Sequence, residues 1–381
     1  MPARGDSAVF RPRCEGTYMR VLLTGATGYS GLIVASRLMD AGAHVRGLAS
    51  RPSDLTQKLE STGGFTFHQG DLRDAQTLAE AVKGVDAIVH FAAIVGDPAS
   101  AREPDLARQV NVEATKVLFD AADRSGVNHL VFGSTCSVYG RHTGGVATET
   151  TPVNPVSLYG ETKVEAEDYL LSQGGDVNVT VLRLGTAYGV SPKLRLDLIV
   201  NQYVHEATTR GEITVMGPEA WRPHVHVQDL AQAVDSVLAD PGEARQQIFN
   251  VVTENMQLKQ VAALASAAHT GPVRIDYRAT VDDRRDYAVS GEKLLNSLSY
   301  TPGWTVAQGV REVRNHLVSA ESSAESSARD RTPRISASAA RSRSTTTPDG
   351  PRRRPPADPG TTPGVPGTTP PQQQRGRGRG R

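Results

Sequence analysis

Apolar residues in this chain form two alternating patterns, short unbroken runs and longer segments in which they recur every three or four positions. The first run is Val21-Leu22-Leu23, and the segment 33–39 that follows carries its apolar residues at helical spacing. An unbroken run is typical of a strand buried on both faces of a parallel sheet, and the spaced pattern is typical of a helix packed on it. The alternation continues as strands at 44–49, 65–69, 86–91, 129–133, 179–184 and 248–252 and helices at 75–82, 106–122, 158–171, 196–207, 229–238 and 258–268. This order predicts an α/β fold with a parallel, doubly wound sheet.

Three glycines stand between the first predicted strand and the first predicted helix. Gly25, Gly28 and Gly31 follow one another at three-residue spacing. Such a strand, glycine turn and helix present backbone N–H groups at a helix N-terminus to a pyrophosphate. The alternative is an ordinary flexible turn, but the flanking strand and helix favour a dinucleotide site.

The end of the second predicted strand bears on the choice between NAD and NADP. An acidic residue about 20 positions past the glycines commonly holds the ribose 2′-OH of NAD. Here the strand ends in Ala49-Ser50-Arg51, and no carboxylate occurs before Asp54. Arg51 with Ser50 could instead receive a 2′-phosphate, which slightly favours NADP, or it could be a solvated loop residue.

A threonine, a tyrosine and a lysine form the candidate catalytic group. Thr135 lies just after the fifth predicted strand, and Tyr159 and Lys163 lie four positions apart on one helix face. A lysine beside a phenol favours the phenolate and lowers the tyrosine pKa from its usual value of about 10. Tyr159 is therefore a candidate general acid/base, with Thr135 binding the same substrate oxygen. The alternative is a surface tyrosine beside an ion-paired lysine.

Several motifs together resemble the extended short-chain dehydrogenase/reductases, the NAD-dependent epimerase/dehydratase group that acts on nucleotide sugars. The motifs are TGATGYSG, GDL, HFAA, STCSVYG, YGETK and RPHVHVQDL, and the resemblance covers about residues 20–317. It implies a Rossmann-type domain at 19–190, with a smaller C-terminal α/β substrate-binding region at 191–318 interleaved with it. It also implies a homodimer through the helices at 106–122 and 158–171.

The resemblance assigns further residues to binding. The cofactor is expected to contact the glycine turn, Lys163 through the nicotinamide ribose, and the residues Thr27, Tyr29, Ser30, Asp71, Leu72, Phe91, Ala92 and Ala93. Arg222 and Arg285 are expected to bind a substrate diphosphate, since the planar guanidinium fork suits phosphate geometry. His224 and His226 have no Cys, Asp or Glu that completes a metal set, so we interpret them as structural.

Two departures from the family pattern narrow the expected reaction. The sugar 4,6-dehydratases carry Asp-Glu after the catalytic threonine, where this chain has Cys136 and Ser137, so dehydration is disfavoured. Thr186 stands where many members have a substrate-contacting asparagine. We therefore expect a nucleotide-sugar epimerase. The alternatives are an NADPH-dependent ketoreductase of nucleotide sugars and, from another class, a non-catalytic dinucleotide-sensing module.

Composition adds expectations about the ends of the chain and its surroundings. Residues 1–18 are polar, and residues 319–381 are rich in Arg, Pro, Ser and Gly, so both are predicted to be disordered. From Ala320 onward the chain has 12 arginines and five acidic residues, a composition that can touch nucleic acid, although a solvated extension without a specific nucleic-acid partner is favoured. Two cysteines and no apolar run near the roughly 20 residues that span a bilayer fit a cytoplasmic protein without a membrane partner.

Overall fold

The computed structural model describes residues 18–279 and 285–330, excluding the side chains of Thr143 and of residues 321–330. The calls on residues 1–17 and 331–381 therefore lie outside the described residues. The strands are β1 (Arg20–Thr24), β2 (His44–Ala49), β3 (Phe65–Gln69), β4 (Ala87–His90), β5 (His129–Thr135), β6 (Arg141–Ala147), β7 (Asn178–Leu184), β8 (Thr186–Tyr188), β9 (Glu212–Met216), β10 (Trp221–His226), β11 (Gln247–Val251), β12 (Glu254–Gln257), β13 (Arg274–Arg278) and β14 (Asp286–Val289).

The helices alternate with these strands through the first half of the chain. They are α1 (Tyr29–Asp40), α2 (Asp54–Ser61), α3 (Ala75–Ala81), α4 (Asp97–Arg102), α5 (Pro104–Arg108), α6 (Ala114–Arg124), α7 (Leu158–Ser172), α8 (Ile199–Arg210), α9 (Val227–Ala239), α10 (Leu258–Ala267), α11 (Glu292–Ser297) and α12 (Val306–Asp330). A π-turn at Gln109–Glu113 joins α5 to α6, and a 3₁₀ turn at Cys136–Tyr139 follows β5.

A seven-stranded sheet in the order β11-β7-β5-β4-β1-β2-β3 forms the centre of the described chain. All neighbouring strands in it run parallel. Helices α1 and α9 cover one face, where Val34 and Val234 belong to the buried core, and α3, α6 and α7 cover the other, where Leu118 and Leu170 do. The predicted doubly wound parallel sheet is confirmed. Its strand order reverses between β1 and β4, which opens a crevice at their carboxyl ends.

The C-terminal part adds three small sheets and a separate apolar core. One has the strand order β12-β10-β8, and the other two pair β13 with β9 and β14 with β6. Helices α8, α10 and α12 enclose the core, which includes Val204, Val261 and Val310. This region continues from the main sheet, because β8 follows β7 after the single residue Gly185.

Two predicted elements differ from the structure. The helix predicted at 106–122 is divided by the π-turn, because the buried Asn111 turns its amide towards the loop after β4. The last helix runs to Asp330, so residues 319–330 are helical where we expected the disordered tail to begin. No glycine or proline interrupts residues 310–332, which explains how the helix continues past the apolar residues.

Candidate functional site

The glycine turn between β1 and α1 leaves no room for side chains at two of its three glycines. Gly25 has a φ of +73°, and a Cβ there would lie 2.9 Å from the backbone nitrogen of Ala92. A Cβ at Gly31 would lie 2.1 Å from the carbonyl oxygen of Gly25. Gly28 is the N-cap residue of α1, and no side chain of this residue bonds the first N–H groups of the helix. The first N–H groups of α1 therefore point out of the turn, where they suit an anion.

A buried hydrogen-bond chain holds the loop after β4 against this turn. Thr24 Oγ1 accepts from the backbone N–H groups of Phe91 and Ala92, at 3.2 and 3.1 Å, and bonds His90 Nδ1 at 2.7 Å. Thr115 Oγ1 donates to the Asn111 carbonyl, so it accepts from His90 Nε2 at 2.9 Å. These donor and acceptor roles make His90 a neutral ring that carries its proton on Nε2. Burial, with the charge of Lys163 as a smaller cause, lowers the pKa of His90 to about 3.

Tyr29 links the glycine turn to the loop after β8. Its hydroxyl donates to the carbonyl of Gly189 at 2.8 Å, and Ser191 Oγ donates to the Tyr29 carbonyl at 2.8 Å. Tyr29 borders the crevice as expected, but its phenol is used to hold this loop.

At the end of the crevice formed by Ser50 and Asp71, the predicted contact residue Arg51 does not line the cavity. Ser50, Asp71 and Arg73 border the crevice, and Arg73 Nε donates to Asp71 Oδ1 at 3.0 Å. Arg51 is exposed and is not among the residues that border it. The reason is local: β2 ends at Ala49, and the chain turns away to enter α2. The geometry therefore gives no support to a 2′-phosphate contact from Arg51.

Thr135, Tyr159 and Lys163 all border the crevice. Thr135 ends β5, and its Oγ1 accepts from the Ser137 N–H at 3.1 Å, which leaves the hydroxyl hydrogen to donate. Tyr159 and Lys163 lie in the first turns of α7, which begins after the cap residue Ser157. Lys163 Nζ donates to the Gly133 carbonyl at 2.8 Å.

The expectation that Lys163 lowers the pKa of Tyr159 is not met in this arrangement. Burial raises the pKa of Tyr159 above its ordinary value, the carboxylate of Asp97 adds to the rise, and the guanidinium of Arg195 opposes it. Burial also lowers the pKa of Lys163 to about 8, against the opposing charge of Glu167. The ammonium is directed to the Gly133 carbonyl, so desolvation decides the pKa of the phenol.

The C-terminal part supplies the opposite wall of the crevice. Thr186, Arg222 and Arg285 all border it. Arg222 Nη1 donates to the carbonyls of Trp221, at 2.8 Å, and of Arg285. Arg285 Nη1 lies 3.0 Å from Asp97 Oδ2, so the fold brings residues 188 positions apart in the sequence into one ion pair.

All predicted site residues except Arg51 border a single cavity of about 900 Å³. Sequence reasoning missed side chains that enter from α4, from the loop after β8, from α8 and from β9, namely Asp97, Lys193, Arg195, Gln202 and Met216. None of these has a motif around it. The Arg195-Leu196-Asp197 alternation is the one local signal, and Arg195 Nε does donate to Asp197 Oδ1 at 3.0 Å.

No helix in residues 18–279 and 285–330 is long and apolar enough to cross a membrane. The same ranges contain no group of three or more Cys, His, Asp or Glu placed to hold a metal ion. His224 is fully buried, and His226 Nε2 bonds Glu312 Oε2 at 2.9 Å.

Relatives of known name cover different parts of the chain. A UDP-glucose 4-epimerase from Corynebacterium glutamicum is 27% identical over 307 residues, which are 75% of this chain and 92% of that protein. A 3 beta-hydroxysteroid dehydrogenase/Delta 5-->4-isomerase from Mycobacterium tuberculosis is 38% identical over 164 residues, but these are 41% of this chain and 43% of that protein. The match that spans nearly a whole protein is therefore to a sugar epimerase.

Similarity to solved structures also points to a sugar epimerase. The structure of the Thermus thermophilus UDP-glucose 4-epimerase in complex with NAD superimposes with a TM-score of 0.69 at 26% identity, covering 79% of this chain and 100% of that one. The model of the NAD dependent epimerase/dehydratase family matches residues 21–251, more than half of the chain. This protein therefore belongs to the NAD-dependent epimerase/dehydratase family, as an enzyme of the extended short-chain dehydrogenase/reductase type.

Proposed function

We propose that this enzyme epimerises a sugar carbon of a nucleotide-diphosphate sugar. The observation that carries the proposal is the shared cavity, which is bordered both by the acid/base candidates and by the glycine turn. The similarity to a UDP-glucose 4-epimerase, over 75% of this chain and 92% of that protein, supports UDP-hexoses as substrates and carbon 4 as the reacting centre.

In the proposed mechanism Tyr159 is the proton carrier. In its phenolate form, Tyr159 takes the proton of a sugar hydroxyl while hydride leaves the carbon that carries this hydroxyl. The product of this step is a keto sugar. The Thr135 hydroxyl hydrogen donates to that oxygen and orients it. The flat keto sugar then turns over, hydride returns to its other face, and Tyr159 returns the proton.

The residues that border the crevice fit a nicotinamide dinucleotide. When bound, that cofactor would accept the hydride and give it back, and the positive charge of its oxidised ring would favour the Tyr159 phenolate. The N-terminus of α1 would bind the pyrophosphate, and Lys163 would hold the nicotinamide ribose. We favour NAD over NADP, because Arg51 does not line the cavity and Arg73 is already paired with Asp71.

Arg222 and Arg285 are proposed to bind the substrate diphosphate. Both reach the cavity wall opposite the glycine turn, and the Arg222 guanidinium lies 5.9 Å from the centre of the Tyr287 ring. Two guanidinium groups on one wall match the charge and the planar geometry of a diphosphate.

Dehydration and cofactor sensing are less well supported. Cys136 is fully buried, its Sγ donates to the Arg183 carbonyl, and burial raises its pKa, so it cannot serve as the acid of a dehydratase. A sensor would not need Thr135, Tyr159 and Lys163 together. A ketoreductase remains the competing enzyme activity, and it differs in consuming one reduced cofactor per turnover.

A homodimer through α6 and α7 is also a proposal. These helices pack side by side, and Tyr169 of α7 donates to Asp120 of α6 at 3.0 Å. Their outer surfaces carry ion pairs such as Lys116 with Glu165, at 3.4 Å. A dimer formed there would be polar, and its dissociation should increase with salt in light-scattering measurements.

The test is turnover of a panel of nucleotide sugars by the purified protein with NAD and, separately, with NADPH. Nuclear magnetic resonance of the sugar product would identify an epimer. Epimer formation with NAD and no net cofactor consumption supports the proposal, whereas stoichiometric use of NADPH would assign the chain as a ketoreductase.

A further inference from the structure

A buried ion pair lies directly behind the proposed catalytic residues and is used by none of the steps above. Glu167 follows Lys163 by four positions on α7, and Arg183 lies on β7. Arg183 Nη2 is 2.7 Å from Glu167 Oε2, and the side chains are 6% and 2% exposed. Arg183 Nε adds contacts of 3.1 and 3.3 Å to the two carboxylate oxygens.

The same carboxylate also holds the end of β5. Ser134 Oγ donates to Glu167 Oε1. Ser134 lies opposite Arg183 in the parallel register of β5 and β7, so both side chains reach Glu167 from one face of the sheet. Glu167 therefore connects α7, which carries the acid/base tyrosine, to the residue that precedes Thr135.

Further hydrogen bonds fix the arginine from its other side. Arg183 Nη1 donates to the Tyr139 hydroxyl at 3.0 Å, and that hydroxyl donates to Asn250 Oδ1 at 2.7 Å. Asn250 Nδ2 in turn donates to the Ser290 carbonyl at 3.1 Å. Since every member is bonded, the cluster is a rigid support.

We propose that Glu167 is a positioning residue that sets the distance between Thr135 on β5 and Tyr159 and Lys163 on α7. This inference rests on the proposed function. Gly133 is held by Lys163 and Ser134 by Glu167, so the last residues of β5 are fixed to two successive turns of the same helix.

Glu167 also acts on Lys163 through its charge. It is the negative group that opposes the effect of burial on the pKa of Lys163. The other titratable or charged groups around this position are the neutral His90 from β4, Arg183 from β7 and Tyr159 from α7 itself. On the β5 side, the Phe132 ring centre lies 4.5 Å from Nζ. Without the carboxylate, Lys163 loses its proton at lower pH.

The test compares Glu167→Gln with Asp168→Asn, which makes the same chemical change at the next, exposed position of α7. We expect E167Q to lower kcat at least tenfold, to leave KM within about threefold, and to move the alkaline limb of the kcat profile down by about one pH unit. Glu167→Asp restores part of the rate, and D168N behaves as the parent. An E167Q enzyme with the kcat and pH profile of D168N would overturn the proposal.

Two further measurements keep the test decisive. If E167Q does not fold, Ser134→Ala replaces it, because this change removes one hydrogen bond and leaves the ion pair. A fall in kcat of S134A at constant KM supports the positioning role, and an unchanged kcat overturns the proposal. If the parent turns over no nucleotide sugar, the proposed function fails separately. In that case the titration of Lys163 decides, measured by nuclear magnetic resonance of labelled lysines and assigned with Lys163→Met. The titration moves to lower pH in E167Q if the inference holds, and it stays unmoved if the inference fails.

Discussion

The two walls of the cavity are built in different ways. The wall from β1, α1 and β4 is mostly backbone: a glycine turn, a helix N-terminus and a loop held by Thr24. The opposite wall is made of side chains that come from separate segments, among them Arg195, Arg222 and Arg285. A wall of backbone groups suits a constant ligand such as a dinucleotide, and a wall of side chains can change with the substrate.

The largest expected effect lies where the walls meet. Tyr159→Phe removes one oxygen and keeps the ring, so packing and cofactor binding should persist while turnover falls by ~10² to 10⁴. Steady-state kinetics with cofactor titration would measure both. Turnover within a few-fold of the parent at every pH would show that the proton comes from another group.

Acid should destabilise both parts of the molecule through buried histidines. Burial lowers the pKa values of His90 and His224 to about 3 and of His129 to about 4. The unfolded chain takes up these protons near pH 6.5, so stability falls as the pH drops from there towards those values. Each ring then costs about 2 kcal/mol at pH 5, measurable by denaturant unfolding.

His90 and His224 also allow a matched pair of variants. His90 has partners on both ring nitrogens, whereas neither nitrogen of His224 has a hydrogen-bond partner within the described part of the chain. His224→Leu should leave stability at pH 7 nearly unchanged and reduce the loss at pH 5, while His90→Leu should destabilise at both. Equal losses for the two would contradict this difference.

The backbone wall can be tested with an added methyl group. Gly31→Ala places a Cβ against the Gly25 carbonyl and should cost roughly 1–3 kcal/mol of folding free energy and weaken cofactor binding. Gly271→Ala, where a Cβ meets nothing within 4 Å, is the control in the other part of the chain. Thermal unfolding of the two proteins, alone and with NAD, would show whether the turn tolerates the methyl group.

The smallest effect is expected at Arg51. Because this residue lies outside the cavity lining, Arg51→Ala should change the affinities for NAD and NADP less than twofold. Arg73→Ala, at the cavity wall, should have the larger effect on binding. A selective loss of NADP affinity in R51A would restore the 2′-phosphate contact expected from the sequence.

The difference between the backbone wall and the side-chain wall also explains which features the sequence could predict. The parallel sheet, the glycine turn and the presence of Thr135 and Tyr159 at one cavity follow from local patterns whose geometry is nearly invariant. The π-turn at Gln109–Glu113 depends on the hydrogen bonds of Asn111 to a distant loop, which no periodicity reports. Asp97 and Arg195 reach the cavity only through tertiary folding, and the pKa of Tyr159 depends on burial that spacing alone does not reveal.

In the proposed reaction, hydride leaves a sugar carbon and returns to it within one cavity. The direct test is incubation of the enzyme and NAD with UDP-glucose deuterated at carbon 4, followed by resonance analysis of the product. The account predicts a 4-epimer that keeps its deuterium and no net accumulation of reduced cofactor. Loss of the deuterium to solvent, or reduced cofactor formed in proportion to product, would contradict it.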